Sequence, residues 1–179
     1  MENTDERGLA EAVKRGDHGA FESLVGQYKK PIYNVVYRML HDSEESSDVT
    51  QTVFLKAYEK MHQYDPDRKL FSWLCRIAVN EAIDTRARRK HETELSDNDV
   101  SSAADPATAV QQDELHRGLE AALMKLDNDH RGVVVLKHIA GMSYQDISAT
   151  LDVSEKTVKA RLYSARQKLR SRLKRDAYL

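Results

Sequence analysis

The chain has 179 residues, a length that suits one ordinary domain or two small ones. Its net charge of −1 hides a segregation, because residues 1–90 sum to zero, residues 91–114 to −7 and residues 115–179 to +6. The single cysteine, Cys75, excludes an intramolecular disulfide, and the histidine spacing predicts neither a metal site nor a cofactor. The polar N-terminus lacks a signal-peptide core, and no apolar run approaches the ~18 residues of a membrane span, so we expect a cytoplasmic protein without membrane insertion.

The N-terminal half is predicted to be helical, because apolar residues recur there at three- and four-residue steps. A short helix begins near Leu9 and closes at Gly16, and Pro31 is expected to bend the long helix that follows. The further predicted helices cover residues 20–40, 45–61 and 71–89, with a loop at 63–69.

Residues 91–112 differ in composition from both flanks, since acidic residues, serine and alanine replace the large apolar residues. Such a segment buries too little surface to offset the entropy of ordering it, which predicts a flexible acidic linker. The fold class is therefore predicted to be all-α, with two small helical domains at residues 1–90 and 113–179.

The C-terminal domain is predicted to contain a helix-turn-helix at residues 142–175, supported by helices at 115–126 and 131–139. Its first helix spans Tyr144–Leu151, and Ser154 caps the second after a turn at Asp152 and Val153. Aspartate tolerates the left-handed backbone that such a turn needs. The second helix has a buried stripe of Val158, Leu162, Ala165 and Leu169, with nine basic residues off that stripe. A basic helix is often only a solvated face, but its position after a turn and cap favours binding in the major groove of DNA.

Three features of the N-terminal domain each admit a structural and a functional interpretation. The apolar residues of 48–58 fit core packing, whereas the polar ones would suit a docking face. Arg76 and Asn80 lie four residues apart on a helix, and both residue types are common readers of bases and phosphates. The basic cluster at residues 86–90 suits a helix C-terminus through the macrodipole, and equally a phosphate contact.

Together these segments resemble a known family. The helix DVTQTVFLKAY, the segment YDPDRKLFSWLCRIAVNEAIDTRARRK, the acidic linker and GMSYQDISATLDVSEKTVKARLYSARQKL occur in the order found in extracytoplasmic-function (ECF) sigma factors of the sigma-70 class. The resemblance implies a first domain that binds the β′ clamp helices of core RNA polymerase and melts the promoter −10 element. It implies a second domain that contacts the β flap and reads the −35 element, and domains that pack on each other or on an anti-sigma factor.

The resemblance also implies roles for individual residues, with Tyr64 as an aromatic platform for a flipped −10 base. By this resemblance, the residues that bind core polymerase are expected to be Asp48, Gln51, Phe54 and Lys56. Contacts to the −10 element fall to Gln63, Tyr64, Asp65, Arg76, Asn80, Arg86, Arg88 and Arg89. Contacts to the −35 element fall to Lys156, Thr157, Lys159, Arg161, Tyr163 and Arg166.

Other functions fit the sequence less well. A response-regulator-type activator with a helix-turn-helix is the main alternative, because VSEKTVKARL also resembles the recognition helix of that class. Such proteins carry an α/β receiver domain or a dimerising helix, and neither pattern is present. The sequence contains no Gly-rich phosphate loop or nucleophile elbow, so an enzyme is not predicted. A scaffold protein would not explain the cationic last helix.

Overall fold

The structure, a computed structural model, describes residues 2–95 and 113–175. These residues form helices and connecting turns, with no strand among them. The N-terminal module consists of α1 (Glu2–Lys14), α2 (His18–Leu40), α3 (Ser43–Lys60), a 3₁₀ turn (Met61–Gln63) and α4 (Leu70–Leu95). The C-terminal module consists of α5 (Asp113–Met124), α6 (Asn128–His138), α7 (Tyr144–Leu151) and α8 (Glu155–Arg175).

Side-chain caps fix where most of these helices begin. Asp17 accepts a hydrogen bond from the Ala20 amide at the start of α2, and Asp42 accepts one from Glu45 at the start of α3. At α7 the Ser143 hydroxyl and the Asp146 carboxylate cap each other's backbone amides. Helix α2 continues through Pro31.

Two helix boundaries differ from the sequence-based prediction by more than three residues. Helix α4 continues to Leu95, six residues beyond the predicted end at Arg89, and α1 begins at Glu2 rather than near Leu9. Neither extension contains proline, so the polar residues there are compatible with helix. The rest of the predicted linker, residues 96–112, lies outside the described residues.

The two modules share one hydrophobic core. The cluster of buried apolar residues continues from Leu24, Val36 and Leu74 in the N-terminal module to Val133 and Ile147 in the C-terminal module. The sequence pattern predicts each module's own core, but contacts between the modules are not visible in a local pattern. In this closed arrangement α2 packs on α6, and α4 packs on α7.

A buried arginine lies where the modules meet. Arg131 on α6 is 0% exposed, and its Nη1 donates to the Met39 carbonyl oxygen of the N-terminal module at 2.6 Å. Its other hydrogen bonds go to the carbonyl oxygens of Leu123 and Met124 at the end of α5, and of Leu126 just after it. Burial and the nearby Arg86 cation lower the pKa of Arg131 to about 9, so the guanidinium stays charged at neutral pH.

Further polar contacts join the modules. The Lys69 ammonium lies 2.9 Å from the Asp146 carboxylate, and Arg38 pairs with Glu120. The Arg86 guanidinium donates to Asn128 Oδ1 at 2.7 Å, and the Thr150 hydroxyl donates to the Ser72 carbonyl at 3.4 Å. Among the described helices, none is long and apolar enough to cross a membrane.

Candidate polymerase-binding and nucleic-acid surfaces

The exposed face of α3 is the first candidate surface. Asp48 and Gln51 are exposed, as the sequence-based assignment requires. Lys56 is half-buried because its ammonium pairs with Glu81 on α4. A partner protein would therefore meet the two polar side chains directly and Lys56 only in part.

Phe54 occupies a different place from the one expected of a docking residue. Its side chain is 6% exposed and packs in the core, whereas the neighbouring Leu55 is 65% exposed. A leucine this exposed on a helix leaves apolar surface that a partner can cover. Sequence reasoning missed Leu55, although it lies off the buried stripe of Val49, Val53 and Ala57.

The loop between the 3₁₀ turn and α4 holds the next predicted residues. Gln63 and Asp65 are exposed, but Tyr64 is 3% exposed. Its ring packs on Trp73, with the ring centroids 5.5 Å apart, and its hydroxyl donates to the Arg68 carbonyl. Burial, followed by the charges of Glu6 and Asp65, raises the pKa of Tyr64 to about 12. In this arrangement Tyr64 does not offer the stacking platform that the sequence suggested, because its ring is part of the core.

Helix α4 presents a polar face between Arg76 and Arg86. Arg76 and Asn80 are exposed at the mouth of a cleft facing the C-terminal module, and Arg86 reaches across to Asn128. Burial, and then the neighbouring Arg89 cation, lower the pKa of Arg86.

The end of α4 carries the two remaining arginines of this set. Arg88 is exposed and donates to the Thr85 hydroxyl, while Arg89 lies 3.5 Å from the Glu45 carboxylate on α3. Arg76, Asn80 and Arg86 therefore share a face toward the C-terminal module, whereas Arg89 joins α4 to α3.

The helix-turn-helix is confirmed in detail. Asp152 has φ 55° and ψ 46°, the left-handed conformation expected of it, and the Thr157 amide donates to the Ser154 hydroxyl at 3.1 Å. Val158, Leu162 and Ala165 are buried. Because these three residues pack in the core, the side of α8 opposite to them faces solvent.

The predicted DNA-contacting residues of α8 fall on different sides of that helix. Lys156 and Tyr163 point outward, and Tyr163 is 68% exposed. Arg166 is exposed. Lys159 lies at one edge of this outward side, where its ammonium is 3.8 Å from the Glu155 carboxylate and 5.6 Å from the centroid of the Tyr144 ring. These four residues make one continuous basic and aromatic surface.

Two other residues of the predicted set are engaged inside the module. The Thr157 hydroxyl is half-buried and bonded to Ser154. Arg161 lies at the opposite edge of α8 from Lys159, and its guanidinium is 2.5 Å from the Asp129 carboxylate on α6. Arg161 is thus separated from the outward group, since two positions along a helix turn its side chain about 200° away from Lys159 and Tyr163.

The first turn of α6 is acidic, and its carboxylates neutralise the edge of α8 that carries Arg161. Asp127 caps α6, contacts His130 and accepts a hydrogen bond from Lys168 at 3.0 Å. Burial alone would raise the pKa of Asp127, but the hydrogen bonds from His130 and Lys168 outweigh it and hold this pKa well below its usual range. The positive charge available to DNA is consequently concentrated on the outward side of α8.

Comparisons with known proteins agree with this geometry. Residues 24–92 match Sigma-70 region 2, and residues 116–169 match Sigma-70 region 4. The ECF RNA polymerase sigma factor SigW of Bacillus subtilis is 36% identical over 175 residues, covering 90% of this chain and 93% of the relative.

Two solved structures resemble most of the chain. CnrH in complex with the cytosolic domain of CnrY has a TM-score of 0.74 and 31% identity, covering 96% of this chain and 98% of the other. The sigma factor RpoE in complex with the anti-sigma factor NepR, from Bartonella quintana, has a TM-score of 0.72 and 26% identity, covering 86% and 96%. With both sigma regions present in order and relatives matched over most of their length, the chain belongs to the ECF sigma factors and is a transcription initiation factor.

Proposed function

We propose that the two modules divide promoter recognition between them. The N-terminal module, residues 1–90, binds core RNA polymerase and the −10 element, and the C-terminal module, residues 113–179, reads the −35 element. The main support is that each module carries an exposed polar or basic helix face, on α4 and on α8, within the segments that match sigma regions 2 and 4.

Core polymerase is assigned to the exposed face of α3, where Asp48, Gln51 and Leu55 would meet the β′ clamp helices. Leu55 supplies the apolar contact, since a leucine that is 65% exposed loses contact with water when a partner covers it. Lys56 contributes at the edge of this face, and Phe54 supports it from the core. The C-terminal module would contact the β flap.

The −10 element is assigned to α4 and the loop before it. Arg76 and Asn80 supply exposed donors for the non-template strand, and Gln63 and Asp65 line the loop. Arg86, Arg88 and Arg89 lie farther along α4, where their charges suit phosphates.

The −35 element is assigned to the outward side of α8. Lys156, Lys159, Tyr163 and Arg166 lie on this side, in a helix long enough to enter a major groove with its N-terminal turns. Thr157 and Arg161 would contact the backbone after release from Ser154 and Asp129.

Regulation by an anti-sigma factor is part of the proposal. RpoE from Bartonella quintana was solved with an anti-sigma factor, and this chain matches its fold over most of both lengths. A protein with this function acts on polymerase in the cytoplasm, as an initiation factor rather than an enzyme.

Run-off transcription tests the proposal. Core RNA polymerase is incubated with fragmented host DNA, with and without the chain, and transcript starts are mapped. We expect new starts that share upstream motifs. Leu55→Asp should abolish these transcripts while leaving the melting temperature unchanged, and Leu55→Met should retain them. Transcription that survives Leu55→Asp would remove Leu55 from the polymerase contact, and DNA binding without any new starts would contradict the division of roles.

A further inference from the structure

The loop that precedes α4 is held at both ends by the first helix of the chain. We call residues 63–69 the −10 loop, because the proposed function assigns this segment to the −10 element. Near its start, the Lys14 ammonium donates to the Tyr64 carbonyl oxygen at 3.1 Å and lies 5.8 Å from the centroid of that ring. Just after its end, Glu6 Oε2 accepts a hydrogen bond from the Leu70 amide at 3.2 Å. Both ends of the loop are therefore bonded to side chains of α1.

Glu6 takes the place of a cap that the sequence before α4 does not supply. Lys69, the residue before this helix, has no side-chain oxygen with which to accept from the first amides. A carboxylate at that place satisfies an amide that lacks a partner within the helix, and the helix dipole favours its negative charge. The other Glu6 oxygen accepts from the Tyr28 hydroxyl at 2.5 Å, and the Tyr28 ring stacks on Phe71 in the first turn of α4. Glu6 thus joins α1, α2 and the start of α4.

The middle of the −10 loop has few other constraints on its position. Its backbone turns on itself, since Asp65 accepts hydrogen bonds from the Asp67 amide through Oδ1 and from the Arg68 amide through its carbonyl oxygen, both at 3.0 Å. These three side chains are exposed, whereas Tyr64 and Leu70 are buried. The loop therefore behaves as a preformed turn whose position relative to α4 is set at its two buried ends. A base-reading group needs to be placed within about 0.5 Å to keep its contacts.

The structure assigns to α1 a role in promoter specificity. We propose that Glu6 and Lys14 are positioning residues, which hold the −10 loop in the geometry that discriminates one base from another. Both side chains are half-buried, and neither is assigned to a contact with DNA. Helix α1 (Glu2–Lys14) ends before residue 24, where the match to Sigma-70 region 2 begins. This inference rests on the proposed role of the loop in reading the −10 element.

The test measures base preference in the holoenzyme, because a general loss of activity would not distinguish positioning from folding. A promoter mapped by run-off transcription supplies two template libraries, one randomised through the −10 element and one through the −35 element. Core RNA polymerase and the full chain form open complexes on each library, and heparin removes the unstable ones. Sequencing the surviving templates gives the ratio of preferred to other bases at every position.

We expect Glu6→Ala and Lys14→Met each to lower the preference at the loop-read position by at least about fivefold, the lower end of the cost of one mismatched base pair. Preferences in the −35 library should not change. Glu22→Ala and Arg15→Met, which remove the same charges at exposed positions, are the matched controls and should behave as wild type. Equal losses in both libraries would show a general loss of structure and overturn the positioning role.

Two conservative variants separate the hydrogen bonds of Glu6 from its charge and from the fold. Glu6→Gln should keep most of the preference, because its oxygen can accept from the Leu70 amide while its nitrogen donates to the Tyr28 hydroxyl. Tyr28→Phe keeps the ring against Phe71 but loses the hydroxyl that donates to Glu6. It should lower the same preference with a melting temperature close to that of wild type. An unchanged preference in both Tyr28→Phe and Glu6→Ala would overturn the proposal.

The loop itself is judged by a separate variant. Gln63→Ala with Asp65→Asn removes the exposed reading groups while keeping an oxygen that can accept from the Asp67 amide. The −10 position at which this variant loses its preference is the loop-read position. If it changes no −10 preference, the assignment of the loop to the −10 element fails. If it does, and Glu6→Ala and Lys14→Met leave that position unchanged, only the positioning role of α1 is overturned.

Discussion

Arg131 stabilises both the C-terminal module and its contact with α2. Its guanidinium is fully buried and donates to four main-chain carbonyls, one of them from the other module. Main-chain carbonyls have no freedom to turn toward water, so each one loses its partner if the side chain is shortened. The charge is held by carbonyl dipoles, which explains how a cation is kept without a buried carboxylate beside it.

Arg131→Ala is expected to lower the free energy of unfolding by at least about 2 kcal/mol, since an unsatisfied buried group costs about 1–3 kcal/mol. Arg131→Lys should fall between alanine and wild type, because it keeps the charge but not the forked donors. Urea unfolding of the three proteins measures this. A loss below about 0.5 kcal/mol for alanine would show that water replaces the guanidinium without penalty.

Asp127 makes the free energy of unfolding decrease as the pH becomes acidic. Its pKa in the folded chain lies below the ordinary 3.8, so its stabilising contribution is complete above that value and is lost as the pH falls through the folded pKa. Asp127→Asn keeps an N-cap oxygen but cannot titrate. We therefore expect a smaller drop in unfolding free energy between pH 6 and pH 3 for the variant than for wild type. Equal drops would show that other carboxylates dominate this range.

At the scale of elements, α8 is a helix with two different basic sides. Lys159 lies on the outward surface, whereas Lys168 lies on the edge that faces α6 and donates a hydrogen bond to Asp127. Lys159→Ala should weaken binding to a duplex containing the −35 element by roughly 1–3 kcal/mol if a base contact is lost. Lys168→Ala removes the same charge and should have a much smaller effect. Anisotropy titrations at a fixed salt concentration compare the two, and equal losses would indicate binding through net charge alone.

Local signals made the helix-turn-helix predictable. The cap at Ser154, the left-handed turn at Asp152 and the helix Tyr144–Leu151 each depend on a few neighbouring residues, and the structure confirms all three. Burial that depends on distant partners was not predictable. Tyr64 lies in a polar loop but is covered by Trp73, and Arg131 finds an acceptor 92 positions away in sequence, at Met39.

The candidate surfaces follow the same division between local and distant signals. The sequence correctly separated the buried stripe of α8 from its polar side, because helical phase is a local property. Helical phase also places Arg161 about 200° from Tyr163 around α8, but the pairing of Arg161 with Asp129 depends on a neighbouring helix and was not predictable. Leu55 was overlooked because the apolar residues of 48–58 were assigned to core packing, although helical phase places Leu55 off the buried stripe.

At the scale of the whole molecule, the shared core makes the two modules one unit. Trp73 is the only tryptophan and lies in the N-terminal module, so its fluorescence reports that module, whereas far-ultraviolet circular dichroism reports all helices. Urea unfolding should give coincident transitions by the two probes. A dichroism phase that tryptophan does not follow would show that the C-terminal module unfolds separately. A Cβ at Gly132 of α6 would lie 3.9 Å from Val79 Cγ1 of α4, so Gly132→Phe, which places a ring there, is expected to produce that separation.

The shared core also sets how much of the chain is available to a partner that binds only separated modules. Such a partner binds with an apparent dissociation constant equal to the intrinsic one divided by the fraction of chains whose modules are separated. If one molecule in a hundred were separated, about a hundredfold higher concentration of that partner would be needed for half-occupancy than for a chain that is always separated. By mass action, substitutions at Met39 or Val133 in the shared core would then change this concentration without changing any residue assigned to polymerase or DNA.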